Sequence, residues 1–322
     1  MTEMTMVAAL NAAFRQEMAR DERVVVLGED VGVNGGVFRV TDGLLRMFPG
    51  RVFDTPLAET CIVGAAVGMA AAGLRPVAEI QFDGFLTAAF DQLVSHAARL
   101  RNRSRGRFTC PLVVRAPFTG GIHAPEHHSE SMEASYAHIP GLVVVMPSTP
   151  SEAKGLLAAA IRSPDPVLFL EPKKVYRAIK EDVREEEYAI PLGKARVVQE
   201  GTDVTVIAWG AMLVPALQAA GRSSYSCEVI DLRTVSPLDV PCILQSVEKT
   251  GRAVVVQEGP HSFGVGAEIA AQLAEKGILH LEAPVERVTA PDVPTPLAKL
   301  EGLYLPSAER VGKAIERAMA FR

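Results

Sequence analysis

Short apolar runs alternate with helix-length stretches along this chain, and they do so twice. In the first half the runs are Val24–Leu27, Val52–Phe53, Pro76–Ile80, Leu112–Val114, Leu142–Val145 and Val167–Leu170. Runs this short, bounded by turn residues, read as strands rather than as buried helices. Between them the spacing predicts an N-terminal amphipathic helix capped at Thr5, a helix after residue 54, and helices over Leu86–Leu100 and Ser151–Arg162. The pattern lapses between Leu170 and Leu192, where EPKKVYRAIKEDVREEEYAIPLG is charged, holds two prolines and shows no periodicity. This segment reads as a linker, with a boundary near 185–195. From Asp203 the alternation resumes: strands at Val204–Ala208, Cys227–Ile230, Ala253–Gln257 and Val285–Val288, helices near Val214–Ala220, Val240–Lys249 and Ala267–Glu275, and a last helix from Ala308. Strands alternating with helices build parallel sheets with helices on their faces. The expected fold is therefore α/β with two domains, residues 1–185 and 186–322, each a mostly parallel sheet flanked by helices.

At 322 residues the chain suits two such domains, and its 48% hydrophobic and 22% charged residues are globular composition. A net charge of −5 argues against nucleic acid as the main partner. The arginines alternating through Arg99–Arg107 have no aromatic between them for base stacking. They read as an exposed helix end and loop, with some pairing to carboxylates of another subunit. Cys61, Cys110, Cys227 and Cys242 show neither zinc nor disulfide spacing and suit reduced thiols in a cytoplasmic protein. No apolar run approaches the roughly 20 residues that span a membrane. The first residues lack a signal-peptide core and carry Glu3, Glu17, Asp21 and Glu22. The glycine-rich VGVNGGVF at Val31–Phe38 is not the GxGxxG of a dinucleotide site.

Three clusters could carry chemistry. The stretch Asp54–Gly73 reads as a strand end, a turn and a small-residue helix, with Asp54 or Thr55 as cap and Pro56 at the first helical position. Gly64 and Gly68 share a face and suggest a close backbone neighbour. Glu59 stands at the mouth of this apolar helix. A capping-box glutamate would lie three residues after the cap, and Glu59 lies further on; helix-dipole stabilisation and a chemical role both remain open to it. The second cluster is the loop Gly120–Ser129, with His123, His127 and His128. No Cys or His partner at ligand spacing points to zinc, so one histidine acting as a proton or hydrogen-bond donor is the favoured reading. The third is Gln81, Phe82, Asp83, Gly84 and Phe85 at the end of the Pro76–Ile80 strand, where open α/β sheets bind ligands.

These residues resemble a known family. LGEDVG at Leu27–Gly32, GGVF at Gly35–Phe38, DTPLAETCIVGAAVGMA from Asp54, PVAEIQFDGF at Pro76–Phe85, FDQLVSHAA at Phe90–Ala98, HHSES at His127–Ser131, DPVLFLEPK at Asp165–Lys173 and DLRTVSPLD at Asp231–Asp239 are similar to the beta subunits of thiamine diphosphate-dependent 2-oxo acid dehydrogenases. The resemblance runs from about Met4 to the C-terminus. It implies a thiamine diphosphate-binding pyrimidine domain followed by a transketolase C-terminal-like domain. It makes Glu59 the glutamate that shares a proton with the cofactor's aminopyrimidine ring, favouring the tautomer that deprotonates the thiazolium carbon. Glu29, Leu57, Ala58, Gln81 and Phe85 match further cofactor contacts, and Phe82, Asp83, Gly84, Phe85 and His128 lie toward the substrate. The family often has Tyr at position 85, so a hydroxyl is missing here. Ala58 and Thr60 also depart from the commoner Ser and Ala, and neither change removes a catalytic group. Leu112, Ala160, Ser163 and Asp165 align with a monovalent-cation site such as K+ occupies, although Ser163 stands where Asp is common.

The family's diphosphate and Mg2+ site uses a GDG followed by an Asn, and this chain has no GDG. The resemblance therefore implies an alpha subunit that supplies the diphosphate and Mg2+ ligands, an alpha2beta2 heterotetramer, and a lipoyl acyltransferase as acceptor of the acyl group. The substrate is a small 2-oxo acid; EIQFDGF and FDQ lean toward a branched-chain one, with pyruvate next. An acetoin-cleaving or transketolase-type subunit is the alternative enzyme, against which the missing GDG and the LGEDVG and GGVF motifs count. A non-catalytic scaffold is the other alternative, and it needs neither Glu59 nor His128.

Overall fold

The computed structural model describes residues 1–321. Thr5 caps the first helix, Met6–Arg20, by accepting from the Ala8 amide at 3.3 Å. The helix buries Met6, Leu10 and Phe14 together with Leu156 and Leu157 of the Pro150–Arg162 helix. An Arg162–Glu17 pair at 2.9 Å clips the two helices together.

Every apolar run of the first half enters one seven-stranded sheet, in the spatial order Thr234–Ser236, Val143–Val145, Val167–Pro172, Val113–Phe118, Arg75–Glu79, Val24–Gly28 and Val52–Asp54. All neighbours are parallel except the first pair. Val26, for example, lies between Val77 and Val52. The outermost strand comes from the second half of the chain: Thr234–Ser236 runs antiparallel to Val143–Val145 and stitches the two halves together. The second sheet has five strands, ordered Glu286–Ala290, Ala253–Pro260, Val204–Ala208, Cys227–Asp231 and Arg196–Gln199, the last antiparallel.

Three expectations need correction. The stretch read as a linker contains a strand, Lys180–Val183, paired antiparallel with Thr2–Thr5. Only Val183 of it is buried, so the alternation that reveals a strand is missing from the sequence. The helix after residue 54 begins at Glu59, with Ala58 at its cap and no side-chain cap bond. Asp54 is spent elsewhere: its carboxylate accepts from the amides of Gly32 at 2.6 Å and Val33 at 3.0 Å, and Pro56 lies in the turn before the helix. The segment expected as a helix over Leu86–Leu100 is a tight 3-10 stretch at Asp83–Ala89, a wide π stretch at Gln92–Ala97 and a short α turn at Leu100–Arg103. The change of winding keeps Leu86, Ala89, Leu93 and Ala97 all buried. In the arginine run, Arg101 pairs with Asp165 of its own chain at 2.6 Å. Among the described residues no helix is long and apolar enough to cross a membrane.

The core of the first sheet also holds a charged group that periodicity does not reveal. Arg115, 1% exposed, donates to Glu171 at 2.6 Å and to Glu79, and Tyr176 donates to Glu171. Burial pushes Glu79 up to about 7, against the pull of Arg115.

Candidate functional site

Parallel strands bring their carboxyl ends to one edge, and the chain turns there into Glu29, Thr55, Ile80 and Lys173. Glu29 follows Gly28, where a side chain would meet the Glu79 carbonyl oxygen at 2.7 Å; glycine lets the two strand ends close up. Glu29 is 7% exposed, and its Oε1 has no hydrogen-bond partner among the described residues. Burial raises its pKa first, and the carboxylates of Glu59 and Asp30 raise it further. Glu59 is half-buried at the first residue of its helix. Gln81 donates to Asp30 at 3.2 Å. Ala58 is half-buried in the turn, and Leu57 projects outward. Facing carboxyl groups of this kind favour retention of a proton, and one of them lacks a partner. That donor set fits a ligand with a basic ring nitrogen and an exocyclic amine, as an aminopyrimidine has.

The three histidines of the loop do three different things. His123 sits at φ +56° with its ring 3.0 Å from Glu301, and His127 at φ +64° with its ring 3.6 Å from Glu130. His128 packs on aromatic rings: Phe82 at 4.3 Å between centroids, and Phe85 edge-on at 5.1 Å. Its Nδ1 lies 2.7 Å from the Glu126 carbonyl oxygen. A carbonyl only accepts, so Nδ1 carries the hydrogen and Nε2 is left free to accept, or to donate once the ring is charged. Phe85 is half-buried, and Phe82 meets both Phe85 and Phe38 edge-to-face.

Asp83 and Gly84, expected toward the substrate, both contact the histidine loop. Asp83 is fully buried and accepts from the Met132 amide at 3.3 Å. A side chain on Gly84 would overlap the His127 carbonyl oxygen and meet Glu130 at 3.0 Å, so this contact needs glycine. The loop is otherwise held by residues that no motif singled out. Glu258, at the end of the Ala253–Pro260 strand, accepts from the Gly120 amide at 2.7 Å, the Ser131 hydroxyl at 2.9 Å and the Thr119 hydroxyl. Glu301 accepts from the amides of Gly121 at 2.6 Å and His123 at 3.1 Å. Thr295 donates to Glu130 at 3.0 Å. The sequence signal was a carboxylate closing the apolar run before Glu258.

Leu112, Ala160, Ser163 and Asp165 come together at the end of the Pro150–Arg162 helix. Their carbonyl oxygens are already engaged: Leu112 by the Val167 amide at 2.9 Å, Ala160 by the Ser163 amide at 3.1 Å, and Asp165 by the Ser163 hydroxyl at 2.9 Å. The Arg75 guanidinium donates to Ile161 at 2.8 Å and to Ser163 at 3.1 Å. Each of these carbonyl oxygens keeps a second lone pair, and Arg75 already brings a positive charge to the same turn.

Comparison with known proteins finds two family matches along the chain. Residues 2–179 match the transketolase pyrimidine binding domain and residues 193–311 the transketolase C-terminal domain. The chain is 53% identical to the pyruvate dehydrogenase E1 component subunit beta of Acholeplasma laidlawii, over 98% of both chains. It is 51% identical to the subunit of the same description from Bacillus subtilis (strain 168), over 100% of both. A solved structure of a split gene transketolase, an inactive beta4 tetramer, superposes with a TM-score of 0.81 at 24% identity, covering 99% of each chain, and shares the fold. The chain belongs to the E1 beta subunits of the thiamine diphosphate-dependent 2-oxo acid dehydrogenases.

Proposed function

We propose that this chain is the beta half of an enzyme that decarboxylates pyruvate on thiamine diphosphate and passes the acetyl group to the lipoyl group of an acyltransferase. The observation that carries the reading is the buried, unpartnered Glu29 carboxyl oxygen set against Glu59. Bound there, the cofactor supplies a carbon nucleophile and a sink for the electrons released with CO2. The remaining work belongs to the protein. Glu59 and Glu29 hold the proton shared with the pyrimidine, and Gln81, tied to Asp30, orients the polar edge. Leu57, Ala58 and Phe85 offer the apolar contacts. Phe82 and Phe85 fix the His128 ring, and their faces keep water from one side of it. With Nδ1 held by Glu126, His128 presents Nε2 to the 2-oxo acid's carboxylate or carbonyl oxygen and later to the lipoyl group.

The diphosphate and Mg2+ ligands come from an alpha chain carrying the GDG motif, in an alpha2beta2 heterotetramer working in the cytoplasm. Relatives described as pyruvate dehydrogenase subunits support pyruvate. The EIQFDGF and FDQ motifs favour a second reading, a branched-chain 2-oxo acid. Co-purification with the alpha partner and comparison of kcat/KM for pyruvate and 3-methyl-2-oxobutanoate decides between them. A higher value for the branched acid overturns the pyruvate assignment, and no decarboxylation of either overturns the function.

A further inference from the structure

Lys173 follows the Val167–Pro172 strand with 5% of its surface exposed, and its ammonium has no hydrogen-bond partner among the described residues. Unpaired buried ammonium groups are unusual, because burial penalises the charged form. Lys173 keeps its charge through longer-range attraction to Asp83, Glu258, Glu301 and Glu130. Asp83, Glu258 and Glu301 hold the histidine loop, and Glu130 belongs to it. Glu258 and Glu301 bind its first residues, Thr119 to His123; Glu258 also binds Ser131, and Asp83 binds the Met132 amide. Asp83 has a second buried oxygen without a hydrogen-bond partner among the described residues. Glu133, also buried beside Asp83 and Glu258, has its pKa pushed up to about 7 by burial. The ammonium lies 5.4 Å from the Phe82 ring centroid, and the same ring packs against His128.

We propose that Lys173 is a positioning residue for His128: its buried ammonium balances the carboxylates that tie down both ends of loop 119–132. The proposal rests on His128 being the substrate-side histidine. With the cation present, Glu258 and Glu301 accept the loop's amides beside a compensating charge, and Lys173 opposes the rise that burial imposes on the Asp83 pKa. Without it, like charges at this density spread apart or take up protons, and the loop loses its anchors. Burial lowers the Lys173 pKa to about 8, against the pull of the four carboxylates. The nearby His123 and His127 rings, paired with Glu301 and Glu130, are exposed and cannot replace a buried cation. Lys174 spends its stem packing on Gly121.

The test uses the alpha2beta2 holoenzyme with Lys173→Met, and with the neutral pair Asp83→Asn/Lys173→Met should the single variant not assemble. Two readouts are taken: hydrogen exchange of residues 119–132, and kcat between pH 6.5 and 9. Wild-type kcat should fall as pH rises through about 8, where Lys173 loses its proton. The variant should lose this alkaline limb, show faster exchange in the loop, and turn over roughly 10–100-fold more slowly, as misplacement of a catalytic group by about 1 Å does. An unchanged limb and a protected loop in the variant overturn the proposal. His128→Ala is run beside it. Normal turnover there, with a loosened loop in Lys173→Met, removes the role of His128 while leaving the anchoring by Lys173 intact.

Discussion

Replacing Glu59 with Gln separates the two roles that a carboxylate at a helix mouth can have. Glu59 is the first residue of the Glu59–Ala71 helix, so its charge interacts favourably with the helix dipole. That is worth about 0.3–1 kcal/mol. Against this, the same charge raises the pKa of the buried Glu29 carboxyl. Neutralising position 59 therefore costs some dipole stabilisation and relieves some like-charge repulsion. The two terms oppose each other, so the net change should stay within about 1 kcal/mol, or roughly 2–4 °C in Tm. Chemistry should respond on another scale. Gln preserves the volume and one hydrogen bond but cannot share an acidic proton with a ring nitrogen. General acid–base contributions run to roughly 10²–10⁴-fold. The assay is deuterium exchange of the cofactor's thiazolium proton in the reconstituted heterotetramer, with thermal unfolding on the same sample. A folded tetramer with exchange slowed 10²-fold or more is the expected result. Exchange at the wild-type rate would refute the assignment of Glu59 and leave only the dipole role.

His128→Ala should keep the assembled enzyme and cut acyl transfer to a lipoyl domain by about 10²-fold or more, while His123→Ala, whose ring points to Glu301, should cost far less; near-normal transfer by the His128 variant would contradict the assignment. Gly84→Ala places a methyl group against the His127 carbonyl, so overpacking of about 1–3 kcal/mol is expected, read as a lower Tm together with faster exchange in the histidine loop. Arg115→Met leaves Glu79 and Glu171 buried without their cation and should cost about 3–5 kcal/mol in urea unfolding. Burial holds the folded-state pKa of Glu79 up at about 7, so without the cation its neutral form is tolerated and its charged form is not. The deficit should therefore be smaller at pH 6 than at pH 8, and an equal deficit at both would count against the buried-charge account.

How much of this molecule was readable from its sequence depends on the range of the interactions that shape each part. The parallel strands were legible because each is a short apolar run whose burial on both faces is written into consecutive residues, as in Val24–Leu27 and Val167–Leu170. Gln81 was legible as a strand-end residue, whereas Glu29 entered only through the family resemblance; the two meet because the carboxyl ends of their parallel strands lie side by side. Local patterns failed where a distant partner decided the outcome. Asp54 has the residue type of a helix cap, yet the amides of Gly32 and Val33 claim it. Thr234–Ser236 is too short to announce which sheet it joins. The support of the histidine loop was the least legible part, since Glu258 and Glu301 reach it across 138 and 180 residues of sequence. No periodicity encodes such a bond. This range also explains what the second half of the chain does for a site whose Glu29, Glu59, Gln81 and His128 all lie in the first. A loop with Thr119, His123 and His127 at positive φ and a glycine pair near its start has little rigidity of its own. Carboxylates carried on a strand and a helix of the second half supply it, so displacement of that half should be felt first at His128, before any residue at the Glu59 end of the site moves.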